Sequence, residues 1–143
     1  MINCFLDTNV LLDWVLDREP FDSEALLIIE LAEKGIIEAE ISSASLFTVT
    51  YFIRKTQTLA GATRIIRDMI SIFSLLPTTK SEVQTALNSN AVDLEDAYQY
   101  FTALSHPSID YFVTRNEKHF HRIESKLPVV SPVEFLKIVT AAK

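Results

Sequence analysis

The sequence predicts an α/β domain with a mostly parallel central sheet and helices on both faces. Three observations carry that reading. Short apolar runs of strand length alternate with longer segments of helical periodicity along the whole chain. Two of the short runs, at 2–6 and 110–114, are dominated by apolar residues at consecutive positions, as in strands covered on both faces. The chain has 143 residues, 48% of them hydrophobic. A chain of that size buries roughly two thirds of its unfolded surface. It is therefore read as one domain over residues 1–143.

The elements follow in order. Ile2-Asn3-Cys4-Phe5-Leu6 is a buried strand that stops at Asp7. Thr8-Asn9 supplies helix-start chemistry ahead of Val10-Leu11-Leu12, and Arg18-Glu19-Pro20 breaks that helix. A second helix runs from Asp22 to Lys34, capped by Asp22 or Ser23 and stopped by Gly35. Its centre is apolar almost all round, which suits deep packing or a subunit interface. A strand over 38–42 precedes a helix from Ser43 to Thr56, with Leu46, Val49, Phe52 and Ile53 at helical spacing. Ala62 to Phe73 forms the next helix, with Leu75-Leu76-Pro77 a brief strand and Ser81 to Asn88 a short helix. Asp93 opens a helix that ends near Ser105, before His106-Pro107. Asp110 to Thr114 is the second clear strand, Arg115 to Phe120 a polar turn or helical turn, and Pro128-Val129-Val130 the last strand. Ser131-Pro132-Val133-Glu134 reads as a capping box with Pro at the first helical position, so a terminal helix follows.

Composition excludes several function classes. Two glycines, Gly35 and Gly61, cannot build a phosphate-cradling glycine loop. One cysteine excludes an intramolecular disulfide framework and a cysteine-rich zinc site. No apolar stretch approaches the ~20 residues of a membrane span, and Asp7 interrupts the first apolar run. A soluble cytoplasmic protein is expected. The net charge of −6 argues at first against nucleic acid, but it is unevenly placed. Residues 1–40 hold ten acids and two bases, whereas residues 41–143 hold nine acids and eleven bases.

In parallel sheets, functional residues lie beyond the carboxyl ends of the strands. That rule selects Asp7 and the segment Thr114-Arg115-Asn116. A carboxylate at Asp7 is either a metal ligand or a structural acid bonded to nearby backbone N–H groups. Asp93, Glu95 and Asp96 form a second acidic group, with Asp93 and Asp96 on one helix face. Two such carboxylates suit a hard divalent cation, and acids in a first helical turn equally suit the helix dipole. Asn116 offers a carbonyl oxygen, and Arg115 a guanidinium for phosphate, unless both belong to a polar turn. Arg115, Lys118, Arg122 and Lys126 form a basic group, with smaller patches at Arg54-Lys55 and at Arg64 and Arg67. These form either a solvated surface or a phosphate track. His119-x-His121 lacks the spacing of a helical zinc pair.

The order of these pieces resembles the PIN-domain family, the PilT N-terminal-like nucleases. Phe5-Leu6-Asp7-Thr8-Asn9-Val10-Leu11-Leu12-Asp13 is similar to that family's first signature. Leu94-Glu95-Asp96-Ala97-Tyr98-Gln99-Tyr100 resembles the acid-bearing start of its later helix, and Val113-Thr114-Arg115-Asn116 with Phe120 its closing signature. The similarity spans residues 2–136. It implies a three-layer α/β/α fold with a five-stranded parallel sheet. It also implies Mg²⁺- or Mn²⁺-dependent cleavage of RNA, often as the VapC-type toxin of a toxin–antitoxin pair, and frequent homodimers.

Carried over by position, Asp7 matches the family's first acid and Asp96 its third. The second acid falls at about Thr48, and the fourth corresponds to Asn116, so two of the four carboxylates are replaced. Asp93, one turn before Asp96, joins Asp7 and Asp96 as an expected metal ligand. Asp7, Asp93, Asp96 and Asn116 form the expected catalytic set. Asn9, Thr48, Arg115 and Lys118 are the expected substrate-binding residues. One Mg²⁺ suits so few charges better than two. The expected function is a metal-dependent ribonuclease with an antitoxin partner. The alternative is a weakened PIN domain that binds RNA or protein without cutting. The apolar faces of 25–32 and 46–53 belong either to the core or to an interface.

Overall fold

The structure, a computed structural model, describes residues 1–142. Five parallel strands form the sheet: β1 (Ile2–Leu6), β2 (Ile37–Ser42), β3 (Ser74–Leu76), β4 (Tyr111–Val113) and β5 (Val129–Val130), in the order β3-β2-β1-β4-β5. Seven α-helices occur among the described residues: α1 (Thr8–Val15), α2 (Asp22–Glu33), α3 (Ser43–Ile53), α4 (Leu59–Ile72), α5 (Lys80–Leu87), α6 (Leu94–Leu104) and α7 (Pro132–Ala141). Glu117–Phe120 adds a 3-10 helix. The three-layer, five-stranded architecture expected from the sequence is the one observed.

Alternation along β1 explains the layers. Cys4 and Leu6 face one side, where they pack with Ile37, Ala39, Ile41 and the apolar residues of α1, α2, α3, α4 and α7. Phe5 faces the other side, stacks on Phe112 with ring centroids 5.4 Å apart, and meets Ala97, Tyr100 and Ala103 of α6. Two independent apolar cores therefore clamp a sheet that has no wet face at its centre. The register pairs Phe5 with Phe112 and Leu6 with Val113, so β1 and β4 end side by side. The strand order reverses between these two strands, which makes their shared carboxyl edge the switch point where ligands bind in open α/β sheets.

Several boundaries differ from expectation. The N-cap of α1 is Asp7 itself, whose side chain accepts from Thr8 N, in place of Thr8-Asn9. The N-cap of α2 is Phe21, not Asp22 or Ser23. The chain enters that helix already in helical conformation, through Phe21 N–H and Asp22 N–H bonded to Arg18 O, and needs no side-chain cap. α3 stops at Ile53, because residues 54–57 close a turn back onto Thr50, Phe52 and Ile53. α4 starts earlier, at Leu59, because Thr58 caps it by accepting from Gly61 N. β3 ends at Leu76 and leaves out Pro77, which has no N–H to pair. At α7, Ser131 accepts from Glu134 N, but Glu134 returns to the Ser131 hydroxyl instead of its backbone. The backbone return of a capping box occurs at α5, where Glu82 accepts from Thr79 N.

The apolar face of 25–32 divides: Ala25, Ile28 and Ile29 are buried, whereas Leu26 and Leu27 are open to solvent. On α3, Val49 and Ile53 are buried and Phe47 and Tyr51 are open. Among the described residues, no helix is long and apolar enough to cross a membrane.

Candidate active site

Asp7 follows β1 directly. Its N–H still bonds Val113 O at 3.0 Å, which fixes it beside the end of β4. The carboxylate is 3% exposed and accepts from Thr8 N (2.8 Å, Oδ1), Thr114 Oγ1 (2.8 Å, Oδ2) and Asn9 Nδ2 (3.4 Å, Oδ2). Thr114 in turn accepts from Asn9 Nδ2 at 3.1 Å and from Asn116 N at 3.1 Å. Thr114 is thus the hub that ties the end of β4 to the carboxylate. Asp7 therefore caps α1, as the structural reading expects, and it also lines a cleft.

That cleft has a volume of about 340 Å³. Asp7, Thr8, Asn9 and Leu12 form its floor. Ala44, Thr48 and Phe52 of α3 line one wall, and Glu95, Asp96, Tyr98 and Gln99 of α6, with Asn116, line the other. Asp96 reaches it from the first turn of α6, and its Oδ2 lies 3.0 Å from His119 Nδ1.

The electrostatics follow from this crowding. Burial pushes the Asp7 carboxyl up to about 7, and the negative charge of Asp96 pushes in the same direction against the hydrogen bonds of Thr114 and Thr8. Burial raises Asp96 as well, opposed by its bond to His119 and reinforced by Asp93. Asp7 and Asp96 thus share one cleft with Glu95, and among the described residues Asp7 has hydrogen-bond donors but no ion-pair partner.

The other expected residues separate into two groups. Thr48 and Asn116 line the cleft. Asn9 also lines it, but its amide is committed to bracing: the oxygen accepts from Arg115 N at 3.2 Å while the nitrogen serves Asp7 and Thr114. Asp93 does not line the cleft. It is exposed and caps α6, its Oδ1 accepting from Asp96 N at 3.0 Å, because an N-cap side chain turns back onto its own helix. Arg115 also lies outside the cleft. Its guanidinium grips Asp13 through two bonds, 2.7 and 3.0 Å, and stacks 4.1 Å from the centre of the Phe21 ring. Lys118 is exposed on the 3-10 helix and does not reach the cleft wall.

Two features escaped the sequence reading. One is the His119–Asp96 contact, made across 23 residues of separation. The other is a buried relay behind the cleft. Ser42 Oγ bonds Gln99 Oε1 at 2.8 Å, Thr8 Oγ1 and Ser45 Oγ lie 2.7 Å apart, and Gln99 Nε2 reaches Thr8 Oγ1 at 3.4 Å. This relay joins β2, α1, α3 and α6. The only sequence signal for it was Gln99, three residues after Asp96 on the same helix.

Among the described residues, no group of three or more His, Cys, Asp or Glu side chains is placed to hold a metal ion. Three acids line the cleft, Asp7 and Asp96 beside the more exposed Glu95, with neutral polar side chains at Asn116 and Thr48. That donor set suits one hard cation retaining several waters, the usual mode for Mg²⁺.

Comparison with known proteins places this geometry. A family model described as PIN domain matches residues 3–118. No curated protein matches the chain. Among solved structures, the fold is similar to a chain of VapBC2 from Rickettsia felis, solved bound to a DNA fragment from the promoter. That likeness has a TM-score of 0.63 at 19% identity and covers 91% of this chain and 98% of that one. A chain of a toxin–antitoxin complex from Klebsiella pneumoniae gives 0.64 at 24%, covering 90% and 97%. One of VapBC-1 from nontypeable Haemophilus influenzae gives 0.66 at 15%, covering 92% and 99%. A family model spanning most of the chain, on a fold that sets Asp7 at the switch point of its sheet, shows that the chain belongs to the PIN-domain family.

Proposed function

We propose that the protein is a Mg²⁺- or Mn²⁺-dependent endoribonuclease that acts in the cytoplasm as the toxin of a toxin–antitoxin pair. The observation that carries the reading is the convergence of Asp7 and Asp96, from β1 and α6, on one cleft at the carboxyl edge of the sheet. The likeness to chains of toxin–antitoxin complexes supports an antitoxin partner, and the exposed Leu26 and Leu27 of α2 are the surface offered to it or to a second copy.

Asp7 and Asp96 would hold a single cation. When bound, it supplies Lewis-acid stabilisation of the charge that builds on the phosphodiester and acidifies the attacking water. The remaining work falls to the chain. Thr114 and Asn9 fix the carboxylate plane of Asp7, and His119 fixes that of Asp96. Asn116 and Thr48 present uncharged polar groups to the scissile phosphate, where a carboxylate would repel it. Leu12 and Phe52 limit water at the floor and wall.

The test is cleavage of a structured RNA in Mg²⁺ or Mn²⁺ beside the Asp7→Ala, Asp96→Ala double variant. The wild-type chain cuts and the variant does not; equal activity in both preparations removes the nuclease reading. The uncharged Thr48 and Asn116 favour a second reading, an RNA- or protein-binding module that has lost cutting. That reading requires no cleavage by the wild-type chain in either ion.

A further inference from the structure

We propose that the exposed stripe of Phe47, Tyr51 and Lys55 on and just past α3 is a stacking platform for an unpaired RNA strand whose scissile phosphate lies in the Asp7–Asp96 cleft. The proposal rests on the nuclease reading and names the residues of this chain, outside the cleft, that would hold the strand.

α3 presents two neighbouring stripes. Ala44, Thr48 and Phe52 recur every four residues and form a wall of the cleft. Phe47, Tyr51 and Lys55 recur with the same spacing on the adjoining face, away from the core. Phe47 is 73% exposed and Tyr51 63%. Two large rings aligned along one helix and left in water contribute little to the fold, and such patches mark binding surfaces.

The charge around the rings narrows the partner. Lys55 Nζ lies 4.8 Å from the centre of Tyr51 and 4.9 Å from that of Phe52, and the Arg18 guanidinium lies 5.9 Å from Phe52. α3 carries no acid at all, in a chain of net charge −6. Aromatic rings interleaved with cations are what a single strand needs: bases stack on the rings and phosphates meet the cations. A duplex hides its base faces within its own stack, so only unpaired bases reach such rings. Phe52 belongs to both surfaces, lining the cleft and lying beneath Lys55. A strand on the platform is therefore led directly past Thr48 to the two carboxylates.

The test is fluorescence anisotropy on the full chain in EDTA, with a labelled unstructured oligoribonucleotide and the same strand annealed to its complement. The single strand binds more tightly than the duplex. Phe47→Ala and Tyr51→Ala each weaken it about tenfold, Phe47→Trp does not, and Lys55→Glu weakens it and flattens its salt dependence. Circular dichroism of these surface variants matches the wild type. Equal affinity for duplex and single strand overturns the proposal, as does unchanged affinity in the Phe47→Ala, Tyr51→Ala double variant. If light scattering shows that this double variant splits a dimer while its RNA affinity is unchanged, the stripe is a self-association surface and the proposal fails. Cleavage separates the two readings. Intact single-strand preference with no cutting by the wild type leaves the platform standing without the nuclease. Unaltered cutting and binding by the aromatic variants leaves the nuclease without the platform.

Discussion

Arg115 and Asp13 form a two-pronged ion pair, Nε to Oδ2 at 2.7 Å and Nη2 to Oδ1 at 3.0 Å, which pins the turn after β4 to α1. The Asp13 side chain is 2% exposed and that of Arg115 27%. Phosphate binding by Arg115 through these two nitrogens would have to break this pair and strand a buried carboxylate.

Arg115→Ala is therefore expected to act on stability before chemistry. Removing one partner of a buried pair costs about 3 kcal/mol, at the low end of the usual range because the guanidinium is partly wet. Arg115→Lys recovers little, since an ammonium cannot reproduce the fork. Urea unfolding at neutral pH checks both. Unchanged stability in Arg115→Ala would return Arg115 to the pool of phosphate-binding candidates.

Asp7 makes the metal-free protein sensitive to pH. Its carboxyl titrates at about 7 in the fold against 3.8 in the open chain. Between those values the folded chain keeps a proton that the unfolded chain has released. Stability therefore falls as pH rises through that window, by about 4 kcal/mol in all. Asn caps a helix as well as Asp does, so Asp7→Asn keeps the cap and removes the charge. In EDTA the variant is expected to match the wild type near pH 4 and to exceed it at pH 8. Equal offsets at both pH values, by urea unfolding, would show that the buried charge is already compensated.

His119 separates folding from ligand geometry. Its side chain is about half exposed, so His119→Ala is expected to change stability by less than about 0.5 kcal/mol. It frees Asp96 Oδ2, however, and groups that orient a metal-binding carboxylate are worth about 10- to 100-fold in affinity. Mn²⁺ titration of the variant should show that loss while thermal unfolding stays unchanged. Unaltered Mn²⁺ affinity would reduce the contact to surface decoration.

The fold was legible because β1 and β4 are short apolar runs and breakers separate the helices between them. Ile2–Leu6 and Tyr111–Val113 could not be read as anything else, and Pro20, Gly35 and His106-Pro107 punctuated the helices between them. Helix starts were less legible: several residues of capping type lie near each start, Asp7 and Thr58 being the ones whose side chains cap, and Phe21 starts α2 with no side-chain cap at all. Asp7 and Asp96 were legible from strand-end and helix-start position, and Thr48 and Asn116 from family resemblance. Asp93 and Arg115 misled because residue type announces charge but not direction: one turns back to cap α6 and the other turns sideways to Asp13. The His119–Asp96 contact and the Ser42–Gln99 relay join residues 23 and 57 apart in the chain, which local pattern cannot report.

Mn²⁺ binding to the intact chain, counted by electron paramagnetic resonance, tests most directly whether Asp7 and Asp96 form one cation site. One ion per chain is expected in the wild type, with binding lost in Asp96→Asn and in Asp7→Asn. Two ions per chain, or one ion bound equally well by both variants, would contradict it.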